Sequence, residues 1–120
     1  MARIMIVDDD VFLHKVLERI LAIGGHEIAG QAYNGAEAIE TFSKINPRPD
    51  LILMDHRMPV MNGSRATREL KRIDTKVKIV FISADESVHD EAIDSGALDF
   101  LTKPIRAKTL FACLDEILSI

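Results

Sequence analysis

The sequence predicts a three-layer α/β protein in which five strands and five helices alternate and the strands form one parallel sheet. Five short apolar runs recur along the chain, and each is followed by a segment with the spacing of an amphipathic helix. Strands separated by helices need crossover connections, which make the sheet parallel, and right-handed crossovers place helices on both of its faces. The third run, Leu51–Met54, does not alternate with polar residues, which is typical of a central strand buried on two sides.

Five strands and a first helix are predicted from the apolar residues. The predicted strands are the apolar runs Arg3–Val7, Glu27–Ala32, Leu51–Met54, Lys78–Ile82 and Leu98–Leu101. The first helix is predicted to begin after Asp10, because apolar residues recur at helical spacing from Leu13 to Leu21. Gly24 and Gly25 follow, and glycine readily takes the left-handed conformation that ends a helix.

The remaining helices are predicted from capping signals and apolar stripes. Asn34 and Glu37 have the spacing of a reciprocal N-cap that opens the second helix. Its predicted buried side consists of Ile39, Phe42 and Ile45, ahead of the helix breakers Pro47 and Pro49. The third helix is predicted to begin near Gly63 or Ser64, with an inward face of Ala66, Leu70 and Ile73. A short, more polar fourth helix is marked by Val88, Ala92, Ile93 and the terminal Gly96, and the fifth by Leu110, Cys113, Leu114, Ile117 and Leu118.

Length and composition indicate one globular domain over residues 1–120 and exclude several function classes. The net charge is −4 and the 15 Lys and Arg residues are scattered, so the sequence lacks the basic face that direct nucleic-acid binding requires. The sequence contains no run of about eighteen apolar residues, the length that would indicate a membrane span. The single Cys113 has no partner for an internal disulfide and no cleavable leader is apparent, so we expect a cytoplasmic protein.

Polar side chains follow four of the five predicted strands. These strands end in Asp8-Asp9-Asp10, Asp55, Ser83-Ala84 and Thr102-Lys103-Pro104. The carboxyl ends of parallel strands converge around a crevice, so these groups are expected to meet there. Clustered carboxylates repel one another unless a cation offsets their charge. The four histidines are too dispersed to suggest a metal site, and all-oxygen ligation favours a hard ion such as Mg²⁺.

A site of this composition is suited to phosphoryl transfer onto a carboxylate. A carboxylate can attack a phosphoryl group when a metal, a cation and hydrogen-bond donors offset the charge on the transferred oxygens. Asp55 is placed to attack and Lys103 to supply a mobile positive charge. The Ser83 hydroxyl is placed to donate to a phosphoryl oxygen.

Four stretches occur in an order that is specific to one known family. They are Ile4–Asp10, Leu51–Gly63, Val80–Ala84 and Gly96–Pro104. Over essentially its entire length the chain resembles the receiver domain of two-component response regulators. The resemblance implies a flavodoxin-like fold with strand order 2-1-3-4-5, and a phosphoryl group supplied by a sensor histidine kinase or phosphotransfer protein. It also implies output to an effector protein or a homodimer through the fourth helix, fifth strand and fifth helix, and no enzymatic activity beyond the chain's own phosphorylation and dephosphorylation.

The same resemblance implies roles for individual residues. The implied ligands of Mg²⁺ are Asp8, Asp9, Asp55 and the backbone carbonyl of Arg57. Asp55 is the implied phosphoacceptor, with Ser83 as the switch hydroxyl and Lys103 as the partner of the phosphate. Phe100 is the implied rotameric aromatic, and Lys103–Pro104 the implied cis peptide. The loop departs from the family pattern at Asn62, where Asp is common, and we expect little effect.

Two other functions stay open from the sequence. Asp8 and Asp10 have the Asp-x-Asp spacing of haloacid-dehalogenase-like phosphatases, although Val11 and Phe12 replace the Gly-Thr of that family. Asp10 is also a good N-cap for the first helix, which separates it from Asp8 and Asp9. The second alternative is a receiver-like module that binds partners without phosphorylation, and such a module is expected to lack the acceptor aspartate or the lysine.

Arg57 and Asp85 suggest a feature specific to this chain. Arg57 lies two residues after Asp55, and Asp85 lies two residues after Ser83, so opposite charges are expected over the same crevice. We hypothesise that they pair and restrict the water that hydrolyses the aspartyl phosphate. The alternative is two solvated loop charges whose pairing contributes less than about 1 kcal/mol.

Overall fold

The computed structural model describes residues 1–119 and has the predicted alternation of strands and helices. The strands are β1 (Arg3–Val7), β2 (Glu27–Ala32), β3 (Leu51–Met54), β4 (Ile79–Ser83) and β5 (Asp99–Thr102). The α-helices are α1 (Val11–Ile23), α2 (Gly35–Lys44), α3 (Gly63–Ile73), α4 (His89–Ser95) and α5 (Ala107–Leu118). A short 3-10 turn, Glu86–Val88, leads into α4. None of the helices within residues 1–119 combines the length and the apolar character needed to cross a membrane.

The strands form one parallel sheet in the order β2-β1-β3-β4-β5, which confirms the order implied by the resemblance. β1 and β3 pair up to their last residues, so Asp8 and Asp55 emerge from the sheet side by side. β4 and β5 pair up to Ser83 and Thr102. The strands with polar carboxyl ends are therefore four neighbours in the sheet.

Both faces of the sheet are covered, and successive strand residues point to opposite faces. The face under α2, α3 and α4 contains the buried side chains of Met5, Val7, Ile52, Met54, Ile79 and Phe81. The face under α1 and α5 contains those of Ile4, Ile6, Leu51, Leu53, Val80 and Ile82. The uninterrupted apolar run of β3 thus supplies alternate residues to two separate cores, as predicted for a central strand.

Side-chain caps set the beginnings of α2 and α3. The Asn34 side chain accepts from the Glu37 N–H at 2.9 Å, and the Glu37 carboxylate accepts from the Tyr33 N–H at 3.0 Å, which confirms the predicted capping pair. At the departure from the family pattern, Asn62 accepts from the Arg65 N–H at 2.9 Å and begins α3. Asp and Asn are about equally good caps, so an Asp at position 62 would serve the helix in the same way.

The structure corrects the predicted bounds of two strands. β4 and β5 each begin one residue later than predicted, so Lys78 and Leu98 lie outside them. Each also continues one residue further, to Ser83 and Thr102, because the ladder between the two strands extends to that pair. These last residues were not predicted to belong to the strands because their side chains are polar, and the strands were predicted from apolar runs.

Some predicted inward faces are also wrong in part. Ile73 is exposed because it is the last residue of α3, and Ile93 is exposed because α4 buries Ala92 on its inner side. In the second helix Ile39 and Ile45 are only partly buried, and its fully buried residues include Ala38 and Phe42. At the end of α1, Gly25 rather than Gly24 adopts a positive φ of 80°.

Candidate acidic site

The ends of four strands bring the predicted site residues together at one edge of the sheet. Asp8 and Asp9 follow β1, Asp55 follows β3, Ser83 ends β4, and Lys103 follows β5. Carboxylate oxygens of Asp8, Asp9 and Asp55 lie within 4.8 Å of one another. Asp8 is 2% and Asp55 7% exposed, whereas Asp9 is exposed, so the cluster opens to solvent on the Asp9 side.

Lys103 bridges the two buried carboxylates. Its Nζ donates to Asp8 Oδ2 at 3.0 Å and lies 3.6 Å from Asp55 Oδ2. Its backbone N–H donates to the Ser83 carbonyl at 2.9 Å, and the Lys103–Pro104 peptide is cis, as the resemblance implied. Burial lowers the pKa of Lys103, but the hydrogen bond to Asp8 and the charges of Asp55 and Asp8 outweigh burial, so the pKa lies above its ordinary value. Lys103 therefore stays protonated and provides a positive charge in the crevice.

Asp55 is held by hydrogen bonds to neighbouring backbone groups, and its carboxyl group has a raised pKa. Its N–H donates to the Val7 carbonyl at 2.9 Å, and its Oδ1 accepts from the His56 N–H at 2.9 Å. Burial raises the pKa of Asp55 to about 6; the charge of Asp8 adds to this increase and Lys103 opposes it. Lys103 alone does not balance the negative charge, so a further cation in the cluster would favour the ionised carboxylate.

Gly63 lets the loop between β3 and α3 close tightly over Asp55. A Cβ atom at Gly63 would lie 2.1 Å from the Asp55 carbonyl oxygen, a distance that no side chain tolerates. The Gly63 N–H donates to the His56 carbonyl at 2.9 Å and so closes the loop at the beginning of α3. The loop contains Arg57, whose predicted role depends on this backbone.

Ser83 and Phe100 lie on the neighbouring strands β4 and β5. Ser83 is buried, and its Oγ accepts from the Asp85 N–H at 3.2 Å. A hydroxyl that accepts a hydrogen bond keeps its own hydrogen for donation. The Phe100 ring stacks on Phe81 with 6.4 Å between centroids and meets His89 edge-on at 5.3 Å. Phe100 therefore lies between the core and the first residue of α4.

Arg57 and Asp85 form the predicted ion pair. Arg57 Nε donates to Asp85 Oδ2 at 2.9 Å, and Arg57 Nη2 donates to the same oxygen. Hydrogen bonds from Ser87, followed by that from Arg57, lower the pKa of Asp85 to about 2. Arg57 lines a cavity of about 360 Å³ that contains Asp55 and a second cavity of about 380 Å³ that contains Asp9. Both cavities therefore share Arg57 in their lining.

Asp10 belongs to α1 rather than to the acidic cluster. Its Oδ1 accepts from the N–H groups of Phe12 at 2.9 Å and Leu13 at 3.3 Å, which confirms the predicted N-cap. Its own N–H donates to Asp8 Oδ1 at 2.8 Å. The Asp10 carboxylate is thus engaged by the helix, whereas the Asp8 carboxylate points to Lys103.

Two buried histidines lie beside the acidic residues, although the sequence did not single them out. His14 Nε2 lies 2.8 Å from the carbonyl oxygen of Asp8. His56 Nδ1 lies 3.1 Å from Ser64 Oγ, and His56 Nε2 lies 3.5 Å from Glu91 Oε2 on α4. His14 therefore supports the backbone of Asp8, and His56 links the end of β3 to side chains of α3 and α4.

The donor set fits a hard divalent cation. The three neighbouring carboxylates of Asp8, Asp9 and Asp55 offer only oxygen atoms. Burial, followed by the charge of Asp8, raises the pKa of Asp55, and a cation in the cluster would offset that charge. A small hard ion takes few protein ligands and keeps several waters, and the exposed side of the cluster at Asp9 leaves room for those waters.

Comparison with known proteins gives matches over almost the whole chain. Residues 4–115 match the model of the response regulator receiver domain. The chemotaxis protein CheY of Thermotoga maritima is 38% identical over 117 residues, which cover 96% of each chain. CheY of Bacillus subtilis is 38% identical over 119 residues, which cover 98% of each. A chain in the crystal structure of the CheX–CheY–BeF3–Mg²⁺ complex from Borrelia burgdorferi superimposes with a TM-score of 0.90 at 27% identity, covering 96% of this chain and 87% of that one.

Proposed function

Because the chain belongs to the family of response regulator receiver domains, we propose that it is a phosphorylation-controlled switch of a two-component system, with Asp55 as the phosphoacceptor. Residues 1–120 are proposed to form one such domain. The observation that carries the proposal is the buried Asp55 carboxyl group, whose pKa is raised to about 6 beside Asp8. Lys103, 3.6 Å away, supplies the positive charge that a transferred phosphoryl group requires.

The ion proposed for the site is Mg²⁺. Its proposed ligands are the carboxylates of Asp8, Asp9 and Asp55 and the backbone carbonyl of Arg57. The clustering of the three carboxylates within 4.8 Å supports the first three, and only membership of the receiver family supports the fourth. Bound there, the ion would offset the carboxylate charge and polarise a phosphoryl oxygen. The Borrelia burgdorferi complex, one chain of which is similar to this one, contains Mg²⁺ and BeF3, which supports Mg²⁺ as the proposed ion.

The proposed donor is a phosphohistidine on a sensor histidine kinase or a phosphotransfer protein. An Asp55 carboxylate oxygen attacks the phosphorus, the P–N bond breaks, and its electron pair stays on the donor imidazole, which takes up a proton. Lys103 and the Ser83 hydroxyl donate to the transferred oxygens. Hydrolysis reverses the phosphorylation: a water oxygen attacks the phosphorus, and the bond from phosphorus to the Asp55 oxygen breaks with its electron pair left on the carboxylate. Inorganic phosphate is released, and the protons of the water pass to the phosphate and the solvent. The chain acts only on its own phosphoryl group and is not an enzyme for other substrates.

The proposed output is a population shift at the face formed by α4, β5 and α5. Turning the Ser83 hydroxyl toward the phosphoryl group would move the loop that follows β4, because Ser83 Oγ accepts from the Asp85 N–H. Phe100 would then turn inward, away from its contact with His89 on α4. A downstream effector protein or a second copy of the chain would read that change. Both proposed partners are proteins of the cytoplasm, and the net charge of −4 disfavours direct contact with nucleic acid.

The proposal is tested by the mass of the intact protein after incubation with Mg²⁺ and acetyl phosphate. We expect wild type to gain one phosphoryl group and Asp55→Asn to gain none. Asp10→Asn is the matched control and should be labelled like wild type, because Asn caps a helix about as well as Asp. Failure of wild type to gain mass would favour the unphosphorylated interaction module. If Asp55→Asn still gains a phosphoryl group and Asp8→Asn does not, the result would instead favour the phosphatase alternative.

A further inference from the structure

His14 is buried directly behind the acidic cluster. It is 1% exposed and shares the inner face of α1 with Leu17 and Leu21. The Tyr33 ring, just after β2, stacks on the imidazole with 4.3 Å between centroids and 28° between planes. A buried imidazole needs hydrogen-bond partners for its nitrogens, and both nitrogens of His14 have one.

The first partner is the peptide that joins Asp8 to Asp9. His14 Nε2 lies 2.8 Å from the Asp8 carbonyl oxygen, and because a carbonyl only accepts, Nε2 carries the hydrogen and donates. The same stretch is held by the Asp8 N–H, which donates to the Ala32 carbonyl at 3.1 Å. His14 therefore fixes the rotation of the peptide between two of the proposed metal ligands.

The second partner holds the ring in that orientation. His14 Nδ1 lies 2.9 Å from Gln31 Oε1 on β2, and Gln31 Nε2 donates to Glu18 Oε1 at 2.7 Å. The Glu18 carboxylate only accepts, so it turns the amide nitrogen of Gln31 toward itself and the amide oxygen toward His14. The amide oxygen also only accepts, so His14 Nδ1 donates to it, and both ring nitrogens are donors in this arrangement. Glu18 lies four residues after His14, one turn along α1. A continuous chain of hydrogen bonds thus runs from Glu18 through Gln31 and His14 to Asp8.

We propose that His14 is a positioning residue of the metal site, which sets the spacing of the Asp8 and Asp9 carboxylates through the peptide between them. The inference rests on the proposed function in one respect, namely that these carboxylates bind Mg²⁺. Groups that orient metal ligands from behind change metal affinity by about 10- to 100-fold when removed. The contact of His14 is with a backbone carbonyl, so we expect the lower end of that range.

Three substitutions at position 14 separate positioning from simple packing. In His14→Gln the amide nitrogen reaches the place of Nε2 and keeps the donor to Asp8, whereas in His14→Asn it reaches only the place of Nδ1. His14→Leu removes both. In titrations with Mg²⁺ alone, followed by amide chemical shifts in NMR, we expect the dissociation constant of His14→Gln to equal that of wild type. Those of the other two variants should be about tenfold higher.

The controls distinguish failure of this inference from failure of the proposed function. Asp9→Asn should weaken Mg²⁺ binding and so identify the titrated site. If His14→Leu binds Mg²⁺ as tightly as wild type does, the role of His14 is overturned and the proposed function stands. The same holds if His14→Gln and His14→Asn weaken Mg²⁺ binding equally. Wild type that does not bind Mg²⁺ would overturn both proposals. Should the position 14 variants not fold, Gln31→Leu leaves His14 in place and is expected to weaken Mg²⁺ binding by about threefold; unchanged affinity there would also overturn the inference.

Discussion

Arg57 and Asp85 are joined across the mouth of the crevice by two hydrogen bonds to the same carboxylate oxygen. The Arg57 side chain is 72% exposed and that of Asp85 25% exposed. The other Asp85 oxygen accepts from the N–H of Ser87 at 3.0 Å and from its hydroxyl at 2.5 Å. The carboxylate is therefore fixed by its own loop, and the guanidinium reaches over the site to meet it.

This pair is predicted to slow hydrolysis of the aspartyl phosphate. In the Arg57→Ala, Asp85→Ala double variant we expect decay up to about fivefold faster than in wild type, since an exposed pair contributes less than about 1 kcal/mol. Decay is measured by intact mass after the phosphodonor is removed. The matched control is Arg72→Ala with Glu69→Ala, which removes an ion pair within α3 and should leave the decay unchanged. Unchanged decay in the first double variant would sink the idea.

The Asp55 carboxyl group is predicted to make the protein less stable as the pH rises from about 4 to about 6. Its pKa in the folded protein is about 6, against an ordinary value of 3.8. Between these values the folded state binds more protons than the unfolded state, so the free energy of unfolding falls as the pH rises.

Asp55→Asn isolates that contribution, because Asn stays neutral and keeps an oxygen that accepts from the His56 N–H. At pH 7.5 we expect the variant to be more stable than wild type by roughly 1 to 2 kcal/mol, less than the pKa change alone implies because solvent screens the charge. Below about pH 4 the two proteins should converge. Urea unfolding across this pH range measures the difference, and a difference that is constant with pH would contradict the raised pKa.

Gly63→Ala is predicted to disturb the site through the backbone of Asp55. The added methyl group would lie 2.1 Å from the Asp55 carbonyl oxygen, and backbone cannot move aside as a side chain can. We expect a loss of about 1 to 3 kcal/mol in unfolding free energy and slower labelling by acetyl phosphate. Gly30→Ala is the control, because its methyl group would meet side chains and no backbone, namely the terminal carbon of Ile45 at 2.6 Å and the methyl carbon of Thr41 at 3.3 Å. Equal stability of Gly63→Ala and wild type would refute the requirement for glycine.

Hydrophobic spacing was sufficient to predict where Asp8, Asp55 and Lys103 meet. The strands of a parallel sheet end at one edge, so the residue that follows each apolar run has a known location before any contact is known. The Arg57–Asp85 pair could be predicted for the same reason, because Arg57 lies three positions after β3 and Asp85 two positions after β4.

His14 was not predicted because its partners depend on tertiary packing. Its spacing with Leu17 and Leu21 was a signal for the buried face of α1, since the three residues lie at i, i+3 and i+7. That Gln31 on β2 faces this helix could not be predicted, because β2 lies at the sheet edge and its residues do not alternate clearly between apolar and polar. Buried polar contacts between elements of this kind follow from register, which hydrophobic spacing does not specify.

Val60 is predicted to be a site where substitution stabilises the protein. Within residues 1–119 it is the one non-glycine residue with positive φ, at 69°, and it is 81% exposed in the loop between β3 and α3. A β-branched residue is disfavoured in the left-handed region, whereas Asn tolerates it, so Val60→Asn should raise the unfolding free energy by about 1 kcal/mol.

The control for Val60→Asn is Leu98→Asn, at another exposed apolar residue whose φ is not positive, and no gain is expected there. Urea midpoints measure both variants, and a Val60→Asn protein no more stable than wild type would show that the loop tolerates Val60 without cost. Labelling of Val60→Asn by acetyl phosphate separates two roles for the conformation. Since Asn62 and Gly63 already fix the far end of the loop through the cap of α3 and the bond to His56, we expect stability to rise while the labelling rate stays the same.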